Sequence, residues 1–445
     1  VEGTWTGTMC LTEAHCGTDL GMLRTKAELN DDGSYSLTGS KIFISAGEHD
    51  LSDNIVHIVI ARIPGSPEGS RGISLFIVPK FNVTDAGEVA DKNAVSCGSI
   101  EHKMGINANA TCVINFDGAK GYLIGEVNRG LNCMFTFMNA ARLGVASEGV
   151  AAAEASFQGA LAYAQDRLQM RSLTGVKNPD GPADPIIVHP DVRRMLLTQK
   201  SIAEGGRALI GYLAQLVDIG HASTDEAEKA NAETKMALLT PIAKAFLTEL
   251  GLECTSHGVQ VFGGHGFIKE WGMEQLMRDT KISCLYEGTT GIQALDLLAR
   301  KILGSKGEIL KPFGAEVTAF CVENAGNEAM QEFIQPIMTF GGDWQKMTET
   351  LGLKAMQNPD EIGAASVDYL MYSGYLTLAY FWAKMVKVAQ DKLASSDDDK
   401  AFYQAKIKTA RFYFQRILPR ANGHAACVAN GADSMMDLDS EDFIF

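Results

Sequence analysis

Cysteine is scarce in this chain. Nine in 445 residues are too few for a disulfide scaffold, and none stands in a C-x-x-C pair that would suggest zinc or redox chemistry. Reduced, mostly buried thiols in a cytosol-like setting are the expectation, and the cytoplasm is the expected location. Long apolar runs are missing as well: none approaches the ~20 residues that a membrane-crossing helix needs. Basic charge is in deficit, with 39 Lys and Arg against 54 Asp and Glu and a net charge of −15. No local basic stripe offsets it, and so acidic a surface repels phosphate backbones, which removes nucleic acid from the expected partners. There is no internal repeat, no Walker loop, no G-x-S-x-G elbow and no H-E-x-x-H zinc helix. His57 and His265 have no second ligand at metal spacing and read as structural, so no metal is expected.

What remains is ordinary globular material: 46% hydrophobic and 21% charged residues, which exclude wholesale disorder. The length suggests about three domains. Residues 1–125 read as β structure. Ile55 to Ile60, Gly72 to Val78 and Thr111 to Phe116 are short β-branched runs, separated by turn chemistry at Asp31-Asp32-Gly33, Pro64 to Pro67 and Asn82 to Gly87. Short pieces at this spacing predict a sandwich or barrel instead of βαβ units. After Gly130 the pattern changes. Leu131, Met134, Phe135, Met138, Ala141 and Val145 recur every three or four residues, which is one face of a helix. That helix is expected to reach about Arg171, with others over 191–220, 225–256, 273–284 and 291–303, an antiparallel bundle over 126–305. Gly304 to Gly307 reads as a linker to a helical extension, 306–445, with helices over 315–358, 361–393 and 399–420. Ser395-Ser396-Asp397-Asp398-Asp399 reads as a solvated loop between two of them. The chain enters a strand-like segment directly from Val1, which reads as a truncation point within a longer protein, so a preceding targeting peptide stays open.

Four local constellations could carry chemistry. Leu11 to Asp19 ends a strand with small hydroxyl residues and glycine, which let backbone N–H groups approach a ligand's polar edge; a capped turn is the plainer reading. In Lys41 to Gly47, Phe43 and Ser45 stand two apart, on one face of a strand, where a flat ring could meet both; a core phenylalanine is the alternative. Arg167-Leu168-Gln169-Met170-Arg171 could clamp a diphosphate, or be a helix end with favourable cations. In Leu285 to Gln293, Glu287 sits in apolar sequence between two helices. Desolvation there would raise its pKa and make it a general base near neutral pH; the alternative is a surface glutamate before an N-cap at Thr289 or Thr290. Gly263-Gly264-His265-Gly266 lacks the third glycine of a dinucleotide fingerprint and opens no βαβ unit.

Taken in order, these segments resemble the acyl-CoA dehydrogenase family. Thr12-Glu13-Ala14 with Gly17-Thr18-Asp19, Phe43-Ile44-Ser45, Arg167-Leu168-Gln169, Gln260 to Gly264 and Tyr286-Glu287-Gly288-Thr289 stand in the family's register from about residue 1 to 305. The part beyond 305, with His189 to Arg194, is similar to a long subgroup with a helical extension, some of whose members act on a short thioether acyl-CoA. The resemblance implies a β middle domain, a four-helix bundle and an extra helical domain, with the family's N-terminal helical domain missing in front. It implies FAD as cofactor and α,β-dehydrogenation of an acyl-CoA to the trans-2-enoyl-CoA. Electrons would pass to an electron-transfer flavoprotein, and the assembly would be a homodimer or a dimer of dimers. An oxygen-using acyl-CoA oxidase and a non-catalytic, DNA-protecting flavoprotein of the same fold are the alternatives; the charge of −15 argues against the second.

Carried onto this sequence, the resemblance makes Glu287 the base that removes the α-proton. Leu11, Thr12, Gly17 and Thr18 would line the flavin's pyrimidine and diphosphate side, Phe43 would cover one ring face and Ser45 would bond near N5. Arg167, Gln169, Gln260, Gly263 and Gly264 would grip the adenosine diphosphate half across a dimer, and Thr289 and Gly291 would meet the flavin again. Asn139 and Arg142 would contact the CoA arm, with Tyr286 and Gly288 on the substrate. Ala14, Thr18, Phe43, Ser45 and Gly291 depart from the usual proline, serine, tryptophan, threonine and polar residue. None of them removes the base.

Overall fold

In a computed structural model, residues 3–396 and 398–444 are described; Val1 and Asp397, which enter the readings of the chain start and the acidic loop, lie outside them. The chain forms two compact units, residues 1–140 and 141–445.

The first unit carries strands β1 (Thr6–Cys10), β2 (Lys26–Leu29), β3 (Tyr35–Ser45), β4 (Ile55–Arg62), β5 (Ile73–Pro79), β6 (Phe81–Val83), β7 (Val89–Lys92), β8 (Val95–Ile100) and β9 (Thr111–Ile124). Strand pairing runs β4–β2–β3–β9–β5 and back to β4, so five strands close a ring and the barrel alternative is the one realised. β1 joins β4 in parallel from Thr6↔Ile55, β8 pairs with β9, and β6–β7 form a separate hairpin. Closure removes the open edges of a sheet. Leu37, Val59, Phe76 and Phe116 fill the core. β5 is buried at six of its seven positions, which is why it reads as a continuous apolar run without alternation.

Helix α1 (Gly130–Asp166) contains the boundary between the units. The second unit continues with α2 (Pro190–Ala222), α3 (Glu226–Phe262), α4 (Gly264–Phe267), α5 (Met273–Lys281), α6 (Thr290–Leu295), α7 (Lys311–Glu323), α8 (Gln331–Gln357), α9 (Asp360–Ser395), α10 (Lys400–Phe412), α11 (Ala421–Asn430) and α12 (Asp433–Met436). Asp225 caps α3 by accepting from the Ala227 and Glu228 N–H groups, and Pro190 opens α2 at a position where no N–H is needed.

Three expectations change here. α1 stops at Asp166, not near Arg171, and the following residues are extended: Leu168 bridges Pro185, and Gln169 N donates to Asp184 O at 3.0 Å. The expected single helix over 315–358 is two, α7 and α8, parted at Asn324–Met330. Gly304 to Gly307 is no loose linker but a hydrogen-bonded turn, with Gly307 N donating to Ile302 O at 2.8 Å, and both sides of it belong to one unit.

The core of that unit is shared by α2, α3 and α9. Tyr369 to Ala383 of α9 is buried without interruption, the signature of a helix enclosed on all sides. Its polar tips find partners, as buried tyrosine and tryptophan must: Tyr372 Oη donates to Phe340 O at 2.7 Å, and Trp382 Nε1 to Ser201 O at 3.1 Å. No helix of the described residues is long and apolar enough to cross a membrane.

Candidate active site

In the first unit, the loop after β1 is built around a buried ion pair. Lys41, fully buried on β3, donates to Glu13 Oε1 and to Leu11 O, each at 2.9 Å. Glu13 also accepts from Thr25 Oγ1 at 2.6 Å, Thr25 N at 3.0 Å and Arg24 N at 2.8 Å. Burial pushes the Glu13 pKa up, but the Lys41 charge and these donors outweigh it and bring it to about 2. The clamp fixes the backbone of Leu11, which is buried, and of Thr12, whose carbonyl accepts from Ile42 N at 2.9 Å. Gly17 and Thr18 are exposed beyond it. Glu13, His15 and Cys16 bring ligand-capable atoms within 4.8 Å of one another, yet both Glu13 oxygens are already engaged.

Phe43 is 60% exposed, which overturns the core reading of this residue. A register shift between Lys41 and Ile44 breaks the simple alternation of the strand, and Phe43 adopts φ +60°. Ser45 is exposed as well, so an aromatic ring and a hydroxyl stand free on one short segment. His57 is buried beside Thr8, with Nδ1 2.7 Å from Thr8 Oγ1, and burial pushes it down to about 4. Asn139 is exposed on α1.

In the second unit, Leu285 to Thr289 link the 3-10 turn Ile282–Cys284 to α6, which Thr290 and Gly291 open. Glu287 is half-buried, and its Oε2 is enclosed without a hydrogen-bond partner. Burial raises its pKa; Arg142 of α1 and Lys244 of α3 pull it down, and Glu148 of α1 pushes it up. An enclosed carboxylate whose ionised form is disfavoured in this way is a better proton acceptor than an ordinary surface carboxylate. The surface-glutamate reading therefore fails, while its companion holds: Thr289 caps α6, its Oγ1 accepting from Ile292 N at 3.3 Å. Tyr286 donates its hydroxyl to Glu148. Arg142, implied at the CoA arm, is only 7% exposed, and the charges acting on it are those of Asp296, Arg300 and Glu287.

Arg167 and Gln169 flank Leu168 in the extended segment, and both are exposed. Arg171 is not free for a clamp: it donates to Asn178 O at 2.7 Å and Gly181 O at 2.6 Å and pairs with Asp184 at 3.2 Å. Gln260, Gly263 and Gly264 are exposed at the end of α3, where Gly263 takes φ +61° and a β-carbon on either glycine would meet nothing within 4 Å. Behind them Tyr163 Oη lies 2.9 Å from His265 Nδ1, and His265 stacks on Trp271 at 4.6 Å.

Residues 8–119 match the acyl-CoA dehydrogenase middle domain, 128–303 the acyl-CoA dehydrogenase C-terminal domain, and 313–439 the acetyl-CoA dehydrogenase C-terminal-like domain. The chain is 42% identical to the 3-methylmercaptopropionyl-CoA dehydrogenase of Ruegeria pomeroyi over 98% of its own length and 74% of that protein. The chain belongs to the acyl-CoA dehydrogenase family. Its members are flavin-dependent oxidoreductases that bind FAD. The family's broad-specificity linear acyl-CoA dehydrogenase from Mycobacterium tuberculosis is 35% identical over 99% of this chain and 75% of the relative. Among solved folds, Caenorhabditis elegans ACDH-11 in complex with C11-CoA superposes with a TM-score of 0.77 at 22% identity, over 97% of this chain and 69% of that one.

Two residues beside Glu287 escaped the sequence reading. Gln293 is fully buried and donates to Glu287 O at 2.9 Å; Lys244 is fully buried and donates to Gly288 O at 2.7 Å. Lys244 had a signal: it is a lone cation in the run Ala237 to Leu247, and a lysine is almost never fully buried unless something holds it.

Proposed function

We propose that this chain removes the α-proton of an acyl-CoA thioester with Glu287 as base while the β-hydride leaves to a two-electron acceptor, and so yields the trans-2-enoyl-CoA. The observation that carries the proposal is the enclosed, unpartnered Oε2 of Glu287, whose pKa burial raises. A base of this kind must be desolvated to hold its pKa near the working pH, and cations at hand keep enough of it ionised.

The residues present fit FAD. Phe43 and Ser45 offer an exposed ring and hydroxyl, the backbone of Leu11 and Thr12 is held in place, and Arg167 and Gln169 offer an exposed cation and amide. FAD, when bound, supplies the two-electron acceptor for the β-hydride. Leu11, Thr12, Gly17, Thr18, Phe43 and Ser45 would hold the flavin half. Arg167, Gln169, Gln260, Gly263 and Gly264 would hold the adenosine diphosphate half, with Thr289 and Gly291 touching the flavin. Thr289 would do so while its hydroxyl serves as the cap of α6. Tyr286 and Gly288 would border the substrate and Asn139 the CoA arm, whereas Arg142 acts on Glu287.

The 42% identity with the Ruegeria pomeroyi enzyme supports 3-methylmercaptopropionyl-CoA as substrate and methylthioacryloyl-CoA as product, a step of dimethylsulfoniopropionate breakdown. An electron-transfer flavoprotein is the acceptor that fits, with the chain acting as a homo-oligomer in the cytoplasm. The test is flavin bleaching by a panel of acyl-CoAs that includes 3-methylmercaptopropionyl-CoA. Glu287→Gln is expected to keep its FAD and lose nearly all bleaching. A fully active Glu287→Gln would sink the assignment of the base, and steady peroxide production in air would replace the dehydrogenase by an oxidase.

A further inference from the structure

The backbone that carries Glu287 is in an unfavourable conformation. Glu287 has φ +57° and the next residue, Gly288, φ +92°. The φ of Gly288 lies in the region that L side chains rarely adopt, which favours glycine there. A non-glycine residue in the left-handed region is strained and persists only where its surroundings over-determine it. Two buried side chains do so here. Gln293, on α6, donates Nε2 to the Glu287 carbonyl at 2.9 Å, and Lys244, in the middle of α3, donates Nζ to the Gly288 carbonyl at 2.7 Å. Consecutive carbonyls are thus gripped from two different helices.

Lys244 is the costlier member. It is fully buried, where an isolated ammonium is strongly disfavoured. Burial brings its pKa down to about 8, opposed by Cys284, Glu287 and Glu249, while Arg142 adds to the lowering. A neutral apolar residue would satisfy packing at that position at no such cost.

We infer that Lys244 and Gln293 are positioning residues for the base: together they hold residues 287 and 288 in the left-handed turn that aims the Glu287 carboxylate, and Lys244 also supplies a cation facing it. The inference rests on the reading of Glu287 as base. The charged groups around that carboxylate are Arg142 and Glu148 from α1 and Lys244 from α3, with the Tyr286 phenol next in the chain. The two members act differently. Gln293 is neutral and holds the backbone alone, whereas Lys244 holds the backbone and lowers the pKa of the base.

The experiment is the rate of flavin bleaching by an acyl-CoA substrate, measured from acid to alkaline pH on the FAD-loaded full chain and its variants. Gln293→Leu is expected to slow bleaching about 100-fold, the scale of a 1 Å misplacement of a reacting group, with the acid limb where it was. Lys244→Met is expected to slow bleaching similarly and to move the acid limb to higher pH, because the base loses a cation that favours its ionised form. Lys244→Gln, which keeps a donor without the charge and guards against misfolding of the methionine variant, is expected to retain more of the rate with the same shifted limb. Folded, flavin-loaded variants whose rate and acid limb match the wild type would overturn the inference, as would a Lys244→Gln limb that does not move. A wild-type chain whose flavin no acyl-CoA bleaches would instead overturn the reading of Glu287 and the inference with it.

Discussion

Glu287 is pushed toward its neutral form by burial and by Glu148, and toward its ionised form by Arg142 and Lys244; the raised outcome sets a pH dependence. A base acts deprotonated, so the rate is present above its pKa and lost as pH falls through it. The acid limb of kcat/KM, which reports the free enzyme, is expected above the ordinary carboxylate range, and Arg142→Leu is expected to move it higher still. A limb at the ordinary value in both proteins would contradict this. Glu13 shows the opposite sign. Its folded pKa, about 2, lies below its unfolded value, so its stabilisation is complete above the ordinary glutamate range and is lost as pH falls toward about 2. Breaking the buried pair is a different perturbation: Lys41→Met leaves an uncompensated carboxylate and is expected to cost roughly 3–5 kcal/mol. Chemical denaturation should register that loss, together with weakened FAD retention if the Leu11–Thr12 backbone serves the flavin. Motif residues were legible because short polar sequences name themselves. Lys41 and Lys244 were not, because their partners are backbone carbonyls and a carboxylate remote in sequence, nor was Gln293, whose partner is a backbone carbonyl six residues away, which spacing alone does not reveal.

Among elements, α1 and α3 meet where glycine faces glycine. A β-carbon on Gly149 would lie 2.3 Å from Leu247 O, and one on Gly251 would lie 2.6 Å from Gly149 O. The obstacle is backbone on both sides, so no side chain can step aside. Gly251→Ala is expected to cost about 1–3 kcal/mol, read as a fall in Tm, whereas Gly144→Ala, which would meet nothing within 4 Å, should be neutral or stabilising. Equal Tm values for the two would refute the close crossing. The helices themselves were legible to within a few residues, since α2, α3 and α9 are long and carry proline or acidic residues at their starts. The errors have local causes. Nothing in Asp166 to Arg171 breaks a helical pattern; the segment leaves the helix because Arg167 O and Gln169 N find partners in Ile186 and Asp184. Phe43 could not be placed, because period-two reasoning assumes an unbroken strand and the register shift occurs at that point.

For the whole molecule, the decisive fact is that the helical extension is not an appendage. α9 is buried along Tyr369 to Ala383, and its contacts go to bundle helices: Trp382 to Ser201 and against Gly205 of α2, and Gly374 against Phe246 of α3. Arg420 adds two hydrogen bonds, at 2.8 and 2.9 Å, to Glu253 of α3, and Glu316 of α7 accepts from Tyr212 of α2 at 2.6 Å. A reading by motifs ends at about residue 305, where the last motif lies, and so counts the rest as an addition; contacts between positions some 180 residues apart, such as Trp382 with Ser201, leave no trace in spacing. Each large apolar side chain withdrawn from water contributes about 1.5–3 kcal/mol, and net stabilities are only about 5–15 kcal/mol. Removal of α9 would expose more apolar surface on α2 and α3 than that margin tolerates. A chain ending at Leu303 is therefore expected to aggregate or to melt without cooperativity. The point variant Trp382→Ala, which opens a cavity worth about 3–5 kcal/mol, should lower a single transition that reports bundle and extension together. Two separate transitions in calorimetry, with only the later residues affected by Trp382→Ala in hydrogen exchange, would instead make the extension an independent domain.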